Sequence, residues 1–391
     1  MRSAKPSLYV ALAGNYFWYF AVIGLMAPFL AVYLNALGFT SVEIGELLAF
    51  VMATKIIGPP IWAVLSDKTG QQASIIRLGA LLSLVFCIPL YFSQGYWAVA
   101  VCFTMYSFFW NAVMPQLEAM TVASVRKKAK IYARIRSWGS LGFIIFAIIS
   151  GEILDLFGDE SYLHLTLFIS FCLFLFTLLL RQPKRAQRQQ AQSSPIKAQI
   201  LQPNFMIFFV VGLLLQASFG PFNGFFALFL KDLGYAGYEI GLLIAVGAIA
   251  EIFIFIIAGL IFKGFHIHHL FTFILIVTAM RWYFTGHFAE HAWVLVACQI
   301  SHCLSYGLYH ACAMQFINHH FKHDQQNRGQ ALYIAGVFGI GGALGVYLTG
   351  LVWQQGEGAT LSFDIATGFV LVAFLLSLLM KPISLGTASK D

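Results

Sequence analysis

The sequence predicts an all-α membrane protein, with twelve transmembrane helices in two pseudo-symmetric six-helix bundles. Three observations lead there. The 391 residues are 60% hydrophobic and only 10% charged, whereas a soluble domain carries roughly 25% charged residues. Apolar runs of about 20 residues, the length of a helix that crosses the hydrocarbon core, recur along the chain. The chain also repeats itself at an offset of 196 residues. Leu37-Gly38-Phe39-Thr40-Ser41-Val42-Glu43-Ile44-Gly45-Glu46-Leu47-Leu48-Ala49 matches Leu233-Gly234-Tyr235-Ala236-Gly237-Tyr238-Glu239-Ile240-Gly241-Leu242-Leu243-Ile244-Ala245, with Leu, Gly, Glu, Ile, Gly, Leu and Ala identical. Such self-similarity is the mark of a duplicated architecture.

The elements follow in order. Span 1 covers 8–34. Met1-Arg2-Ser3-Ala4-Lys5 has the charge of a signal-peptide start, but the apolar run outlasts a signal core and no cleavage site follows, so the span is read as uncleaved. Spans 2 to 6 cover 42–65, 73–92, 96–121, 138–157 and 162–181. Segment 182–203 carries Lys184, Arg185, Arg188 and a Gln/Ala/Ser run without apolar period, the composition of a flexible linker. Spans 7 to 12 cover 204–230, 239–262, 268–287, 291–316, 329–355 and 360–381, and 382–391 forms a tail. The expected domains are therefore 1–181 and 204–381, each of six helices.

All but three of the 23 Lys and Arg lie at the termini or on the loops after even-numbered spans; Lys231, Lys55 and Arg281 are the exceptions. Cations mark the cytoplasmic side, so both termini are expected there. The loop after span 4 is the densest, with Arg126, Lys127, Lys128, Lys130, Arg134 and Arg136 in or beside it, while Asp155 to Glu160 makes an acidic external loop. This distribution accounts for the net charge of +7 without nucleic acid. All six cysteines fall inside spans and none forms a CxxC pair, which predicts free thiols and no zinc site. His266, His268, His269 and His319, His320, His323 are read as solvated loop residues, because no Cys or acidic partner completes a metal site. No HExxH, GxSxG or Asp-rich pair points to an enzyme.

The repeat sets a cation, Lys55, and an anion, Glu251, at equivalent positions in the middle of apolar spans. An intramembrane charge costs about 2.5–3.5 kcal/mol on insertion scales and by default marks function. A buried carboxylate holds a proton more readily than an exposed one, and an approaching Arg reverses that. A midplane ammonium suits a substrate carboxylate or an internal glutamate, and for Lys55 both readings stay open. Span 11 carries Gly336, Gly339, Gly341, Gly342 and Gly345, which allow close helix approach.

Two parallel six-helix halves about a linker resemble the major facilitator superfamily. Ser66-Asp67-Lys68-Thr69-Gly70 resembles that superfamily's signature loop, G-x-x-x-D-[RK]-x-G, with Ala63 in place of the first Gly. The resemblance implies a gate role for Asp67, Lys68 and Gly70; the alternative is a solvated turn. Tyr132-Ala133-Arg134-Ile135-Arg136-Ser137-Trp138-Gly139-Ser140-Leu141-Gly142 is similar to a segment of the phenylpropionate permease family and, more distantly, of lactose permease. Asn111-Ala112-Val113-Met114-Pro115-Gln116-Leu117-Glu118-Ala119 is similar to the segment that bears their substrate-side carboxylate. The likeness to phenylpropionate permeases runs along nearly the whole chain.

The resemblance implies that Glu118 and Arg136 pair at the substrate site. It also implies that Glu251, Arg281 and His302 link binding to proton transfer. Lactose permease has a second carboxylate one turn after its histidine, where this chain has Ser305, so His310 is a further proton candidate. His302 and His310 are eight residues apart, about two helical turns, and are expected on one face. Asn15, Trp110 and Phe143 are candidate substrate contacts, with helix packing the alternative for each, and Glu46 is a weaker one.

The expected protein is thus a proton-coupled symporter of a small organic acid such as a phenylpropionate, monomeric, in the bacterial inner membrane. It needs no cofactor beyond the coupling proton, and its two halves rock about a central site. A sugar or nucleoside symporter is the alternative within transporters. A polytopic membrane enzyme or a sensor is the rival from another class.

Overall fold

The computed structural model describes residues 6–93, 95–125, 128–182 and 194–381. Arg126, Lys127, the linker cations Lys184, Arg185 and Arg188, and the tail 382–391 lie outside them. The described residues are mostly helical and contain no strand. Spans 1 to 6 are α1 (Pro6–Ala36), α2 (Ser41–Thr69), α3 (Gln72–Cys87), α4 (Tyr96–Trp110) with α5 (Val113–Val125), α6 (Ala129–Phe157) and α7 (Ser161–Leu178). A short α8 (Lys197–Ile200) precedes α9 (Pro203–Ser218) and α10 (Phe226–Asp232), the two parts of span 7. Then come α11 (Gly237–Gly264), α12 (Ile267–Phe288), α13 (Ala292–Ile300), α14 (Tyr309–His320), α15 (Gln326–Tyr333), α16 (Gly342–Trp353) and α17 (Ala359–Ser377).

Among the described residues, eleven helices are long and apolar enough to cross a membrane. The twelfth expected span, span 10, is assembled from pieces: α13, a π-helical turn at Cys303–Leu308, and α14. Span 5 differs from its expected start at 138. Its helix begins at Ala129, because Lys130, Arg134 and Arg136 are all good helix formers.

The repeated segment encodes a turn and a cap. Gly38 and Gly234 sit at φ 84° and 87°, a left-handed conformation that glycine adopts without Cβ strain. Each ends one helix five residues before a glutamate that caps the next. The Glu43 carboxylate accepts from Thr40 N–H at 2.8 Å, and Glu239 accepts from Ala236 N–H at 2.9 Å. Thr40 completes a capping box through its own hydroxyl.

Prolines divide spans 4 and 7 and sit inside span 2. A proline lacks the N–H that would bond the carbonyl four residues back, and its ring crowds that carbonyl. Pro115 acts on Asn111, where α4 gives way to α5, and Pro221 acts on Ala217 and opens a π-turn at Pro221–Phe225. Pro59 and Pro60 lie within α2 and act on Lys55 and Ile56.

The chain groups into two compact units. One holds the described residues of Met1–Arg188 together with Phe222–Ala245 and Gln354–Gly356. Within it α1 lies against α6 at glycines: a Cβ on Gly142 would strike Phe17 O, and one on Gly24 would come 2.5 Å from Phe143 O. Gly151 meets Gly237, and Gly241 meets Ala147. Asp159 and Lys231 pair at 2.8 Å beside that crossing. Ser41 N–H donates to Gln355 Oε1 at 2.7 Å.

The other unit holds the described residues of Gln189–Pro221, Val246–Trp353 and Glu357–Asp391. Here Gly341 and Gly345 of span 11 press on the backbone of α9 at Leu213 and Ala217, and Gly286 of α12 accepts Phe363 of α17. The described end of the linker segment, from Ser194, is tied to the loop after span 10. Ser194 donates to Asp324 from both N–H (2.9 Å) and Oγ (2.5 Å), and Gln325 Nε2 donates to Ser194 Oγ and Pro195 O. Those two bonds from Ser194 hold the Asp324 carboxyl below its ordinary value.

Candidate functional site

In the first unit, α5 presents Glu118 to Arg136 on α6. Arg136 Nε lies 3.4 Å from Glu118 Oε1, with both side chains about one-third exposed (33% and 30%). Tyr132, one turn before Arg136, donates its hydroxyl to Glu118 Oε2 at 2.7 Å. The guanidinium lies over Phe20 at 4.3 Å and near Tyr16 at 5.5 Å. One carboxylate, one guanidinium and one phenol thus converge, a set able to donate to and accept from a hydroxylated or carboxylated molecule.

Lys55 stands apart from that pair. Its Nζ lies 3.4 Å from Met52 Sδ, and among the described residues it makes no ion pair. The preceding residue belongs to a buried polar cluster, in which Thr54 Oγ1 meets Ser107 Oγ at 2.9 Å and accepts from Asn111 Nδ2 at 2.9 Å. Pro59 leaves the Lys55 carbonyl without its helical donor. The site therefore presents an ammonium on a helix whose hydrogen-bond ladder a proline interrupts one turn further on.

Trp110 is buried and stacks on Tyr19 at 4.2 Å with the rings 7° from parallel, and its indole Nε1 makes no hydrogen bond among the described residues. Phe143 is half-buried on α6, its carbonyl against Gly24. Asn15 is not brought together with these residues. It is fully buried, and its Nδ2 donates to Ala11 O at 2.7 Å and Phe176 O at 2.9 Å, which ties α1 to α7. Glu46 accepts from Tyr96 at 2.8 Å.

The signature loop is clasped by the chain just after α7. Gly70 caps α2 at φ 65° and donates to Ser66 O. Gln182 donates to Gly70 O at 2.8 Å and accepts from Ala73 N–H at 2.9 Å. Arg77 donates to Thr177 O and Leu180 O. Asp67 and Lys68 are exposed on this loop. Sequence reasoning missed Gln182, which has no motif of its own.

In the second unit, Glu251 of α11 and His302 lie on facing spans, with Oε2 to Nε2 at 3.9 Å and side-chain exposures of 23% and 14%. Two glycines make room for them. A Cβ on Gly307 would stand 3.0 Å from Glu251 Cγ, and one on Gly247 would stand 3.5 Å from His302 Cβ. Arg281 of α12 is 2% exposed. Its guanidinium lies over Trp282 at 4.2 Å and near Phe219 at 5.6 Å, and the Phe219 ring reaches His302 at 6.1 Å. Arg281 and His302 therefore lie on either side of one aromatic ring, with Glu251 beside His302.

His302 stacks on Tyr306 at 5.3 Å, and Phe338 packs against both Tyr306 and His310 at 5.8 Å. Eight α-helical residues would turn His310 about 80° from His302. The π-turn between them absorbs one residue and cuts the offset to about 20°. That turn, invisible in the sequence, is what puts both histidines on one face. Gln299, one turn before His302, is 1% exposed, and neither atom of its carboxamide makes a hydrogen bond among the described residues. Each such unpaired group costs about 1–3 kcal/mol. Among the described residues no three His, Cys, Asp or Glu side chains could hold a metal ion, and all six cysteines are free.

Comparison with known proteins agrees with this architecture. The family model described as the MFS_1 like family matches residues 9–365. The chain is 26% identical over 346 residues to a probable 3-phenylpropionic acid transporter of Escherichia coli (strain K12), covering 88% of this chain and 90% of that one. It is 25% identical over 381 residues to the maltose permease of Geobacillus stearothermophilus, covering 93% of each. Among solved structures it resembles the nucleoside transporter NupG (TM-score 0.81, 16% identity, 95% of this chain and 98% of that one). It also resembles a bacterial homologue of the human lysosomal transporter Spinster (TM-score 0.74, 15% identity, 96% and 98%). At these identities the solved structures speak for the fold.

Proposed function

We propose a substrate class and a coupling ion for a chain that belongs to the MFS_1 like family of transporters: it carries a small organic acid, such as 3-phenylpropionate, together with a proton by alternating access. The observation behind this reading is the meeting of Glu251 and His302 at 3.9 Å from two apolar spans, with Arg281 buried nearby. A carboxylate so placed changes its proton occupancy when its neighbours move. Lys55, without a carboxylate partner among the described residues, is the anchor for the substrate anion, and His310 extends the proton face. Trp110 and Phe143 supply apolar contact. The likeness to the probable 3-phenylpropionic acid transporter supports the aromatic acid.

In this reading the chain lies in the bacterial inner membrane as a monomer with cytoplasmic termini. Segments 1–181 and 204–381 are its functional halves, and Asp67, Lys68 and Gly70 belong to its gate. A second reading, a sugar or nucleoside symporter, is favoured by the donor and acceptor set of Glu118, Arg136 and Tyr132.

The test is solute-driven pH change in sealed vesicles, with aromatic acids, sugars and nucleosides compared. Alkalinisation driven by aromatic acids alone, weakened at least tenfold in Lys55→Gln, is the expected result. Unchanged transport of the acid by Lys55→Gln removes the anion-binding role. A response to sugars or nucleosides alone selects the second reading.

A further inference from the structure

Gln299 is the least explained polar group in the second unit. It is 1% exposed, and both its carboxamide oxygen and nitrogen lack a hydrogen-bond partner among the described residues. It does not stand in an arbitrary place. Gly247 of α11 faces both Gln299 and His302: a Cβ there would be 3.2 Å from Gln299 Oε1 and 3.5 Å from His302 Cβ. Glu251 is one turn further along the same stripe of α11. Its contact with His302, at 3.9 Å, is longer than a hydrogen bond and of a length that one water bridges. Gly307 packs closely on the other flank of Glu251, where a Cβ would stand 3.0 Å from its Cγ.

We infer that the Gln299 carboxamide is the fixed anchor of a bound water that completes the link between Glu251 and His302. The inference rests on the proton-coupling reading given above and adds a positioning residue to it. The chemistry is particular. Buried waters make two to four hydrogen bonds to polar groups that otherwise lack them, and a primary amide offers one acceptor and two donors. Gln299 thereby orients the water without titrating itself, so the proton stays with the two groups that can hold it. A glutamine is also suited by size: an ionisable residue here would compete for the proton, and an apolar one would release the water. The other groups facing the pair are Arg281 of α12, which acts on His302, and Cys303 and Tyr306 of the π-turn, which lie within electrostatic range of Glu251. Cys298, which contacts the Arg281 carbonyl at 3.6 Å, is the remaining titratable neighbour. Each of these is a fixed background that a change at Gln299 leaves in place.

The experiment is infrared difference spectroscopy of the purified full chain in lipid, titrated over pH. The carboxyl band of Glu251 is identified as the one lost in Glu251→Gln. A buried-water band is identified by its shift in oxygen-18 water. In Gln299→Leu the water band is expected to vanish and the Glu251 midpoint to rise by at least about half a pH unit, a threefold change in proton affinity. Gly247→Ala, which presses on the same carboxamide, is expected to shift both bands in the same sense and serves if Gln299→Leu does not fold. Wild-type water band and midpoint in a folded variant overturn the inference. So does a wild-type protein with no such water band. The readout needs no substrate, so vesicles without solute-driven pH change would refute symport and leave the role of Gln299 decided by the spectra.

Discussion

Glu118→Gln separates a structural ion pair from a substrate site. The substitution removes the charge and keeps the shape. Tyr132 still finds an oxygen to donate to, at the position it now reaches at 2.7 Å, and Arg136 still rests on Phe20 at 4.3 Å. What is lost is the Coulomb attraction across 3.4 Å. Both partners are about one-third exposed, so that attraction is screened and its contribution to stability falls near the exposed-pair range, about 1 kcal/mol or less. Substrate binding is another matter. A charge-assisted hydrogen bond contributes about 1.5–3 kcal/mol, and each 1.4 kcal/mol is tenfold in affinity. If Glu118 meets the substrate, the half-saturation concentration should rise about 10- to 150-fold while thermal stability barely moves. The assays are counterflow in proteoliposomes and thermal unfolding of the same preparation. A clear loss of stability with unchanged half-saturation would refute the substrate role and leave a structural pair.

Further expectations follow from other contacts. Glu251→Gln should retain solute exchange and lose solute-driven proton movement, measured in the same vesicles; proton movement at the wild-type level would exclude Glu251 as the carrier. Gly307→Ala places a methyl 2.8 Å from Ile254 Cγ2 and 3.0 Å from Glu251 Cγ, overpacking that should cost about 1–3 kcal/mol of stability, checked by thermal unfolding. The Ser194 clasp should respond to acid. The Asp324 carboxyl is held below its ordinary 3.8, so its contribution is complete above that value and is lost as pH falls through the lower folded value. Ser194→Ala should expose the linker to protease at neutral pH as acid does in the wild type. Equal cleavage rates would show that the clasp does not hold the segment.

Much of the fold was legible because membrane burial acts on the sequence directly. An apolar run must become a helix, since no water is present to satisfy its backbone. The repeat was equally open to reading: Gly38 and Gly234 end helices, and Glu43 and Glu239 cap the next ones, all through contacts within five residues. Span 10 was harder. Its apolar run is continuous enough in sequence, but the turn at Cys303–Leu308 divides it. The site was legible only where a charge stood out in an apolar span. Gln182 and Gln299 carry no charge, and nothing in their neighbourhoods sets them apart.

The sequence by itself determined the class of the protein, the places of its spans, its duplication and the short list of intramembrane charges. These follow from local rules, hydropathy and helix-end chemistry, which operate within one or two turns. Only the tertiary structure decided which of those charges meet. Glu118 and Arg136 are brought to 3.4 Å, and Glu251 and His302 to 3.9 Å, whereas Lys55 is set beside Met52 and Asn15 is spent on joining α1 to α7. Partners on different helices depend on helix rotation and approach. Those are fixed by a π-turn here, a proline there, and by glycines such as Gly247 and Gly307 that admit a neighbour's side chain, none of which hydropathy records.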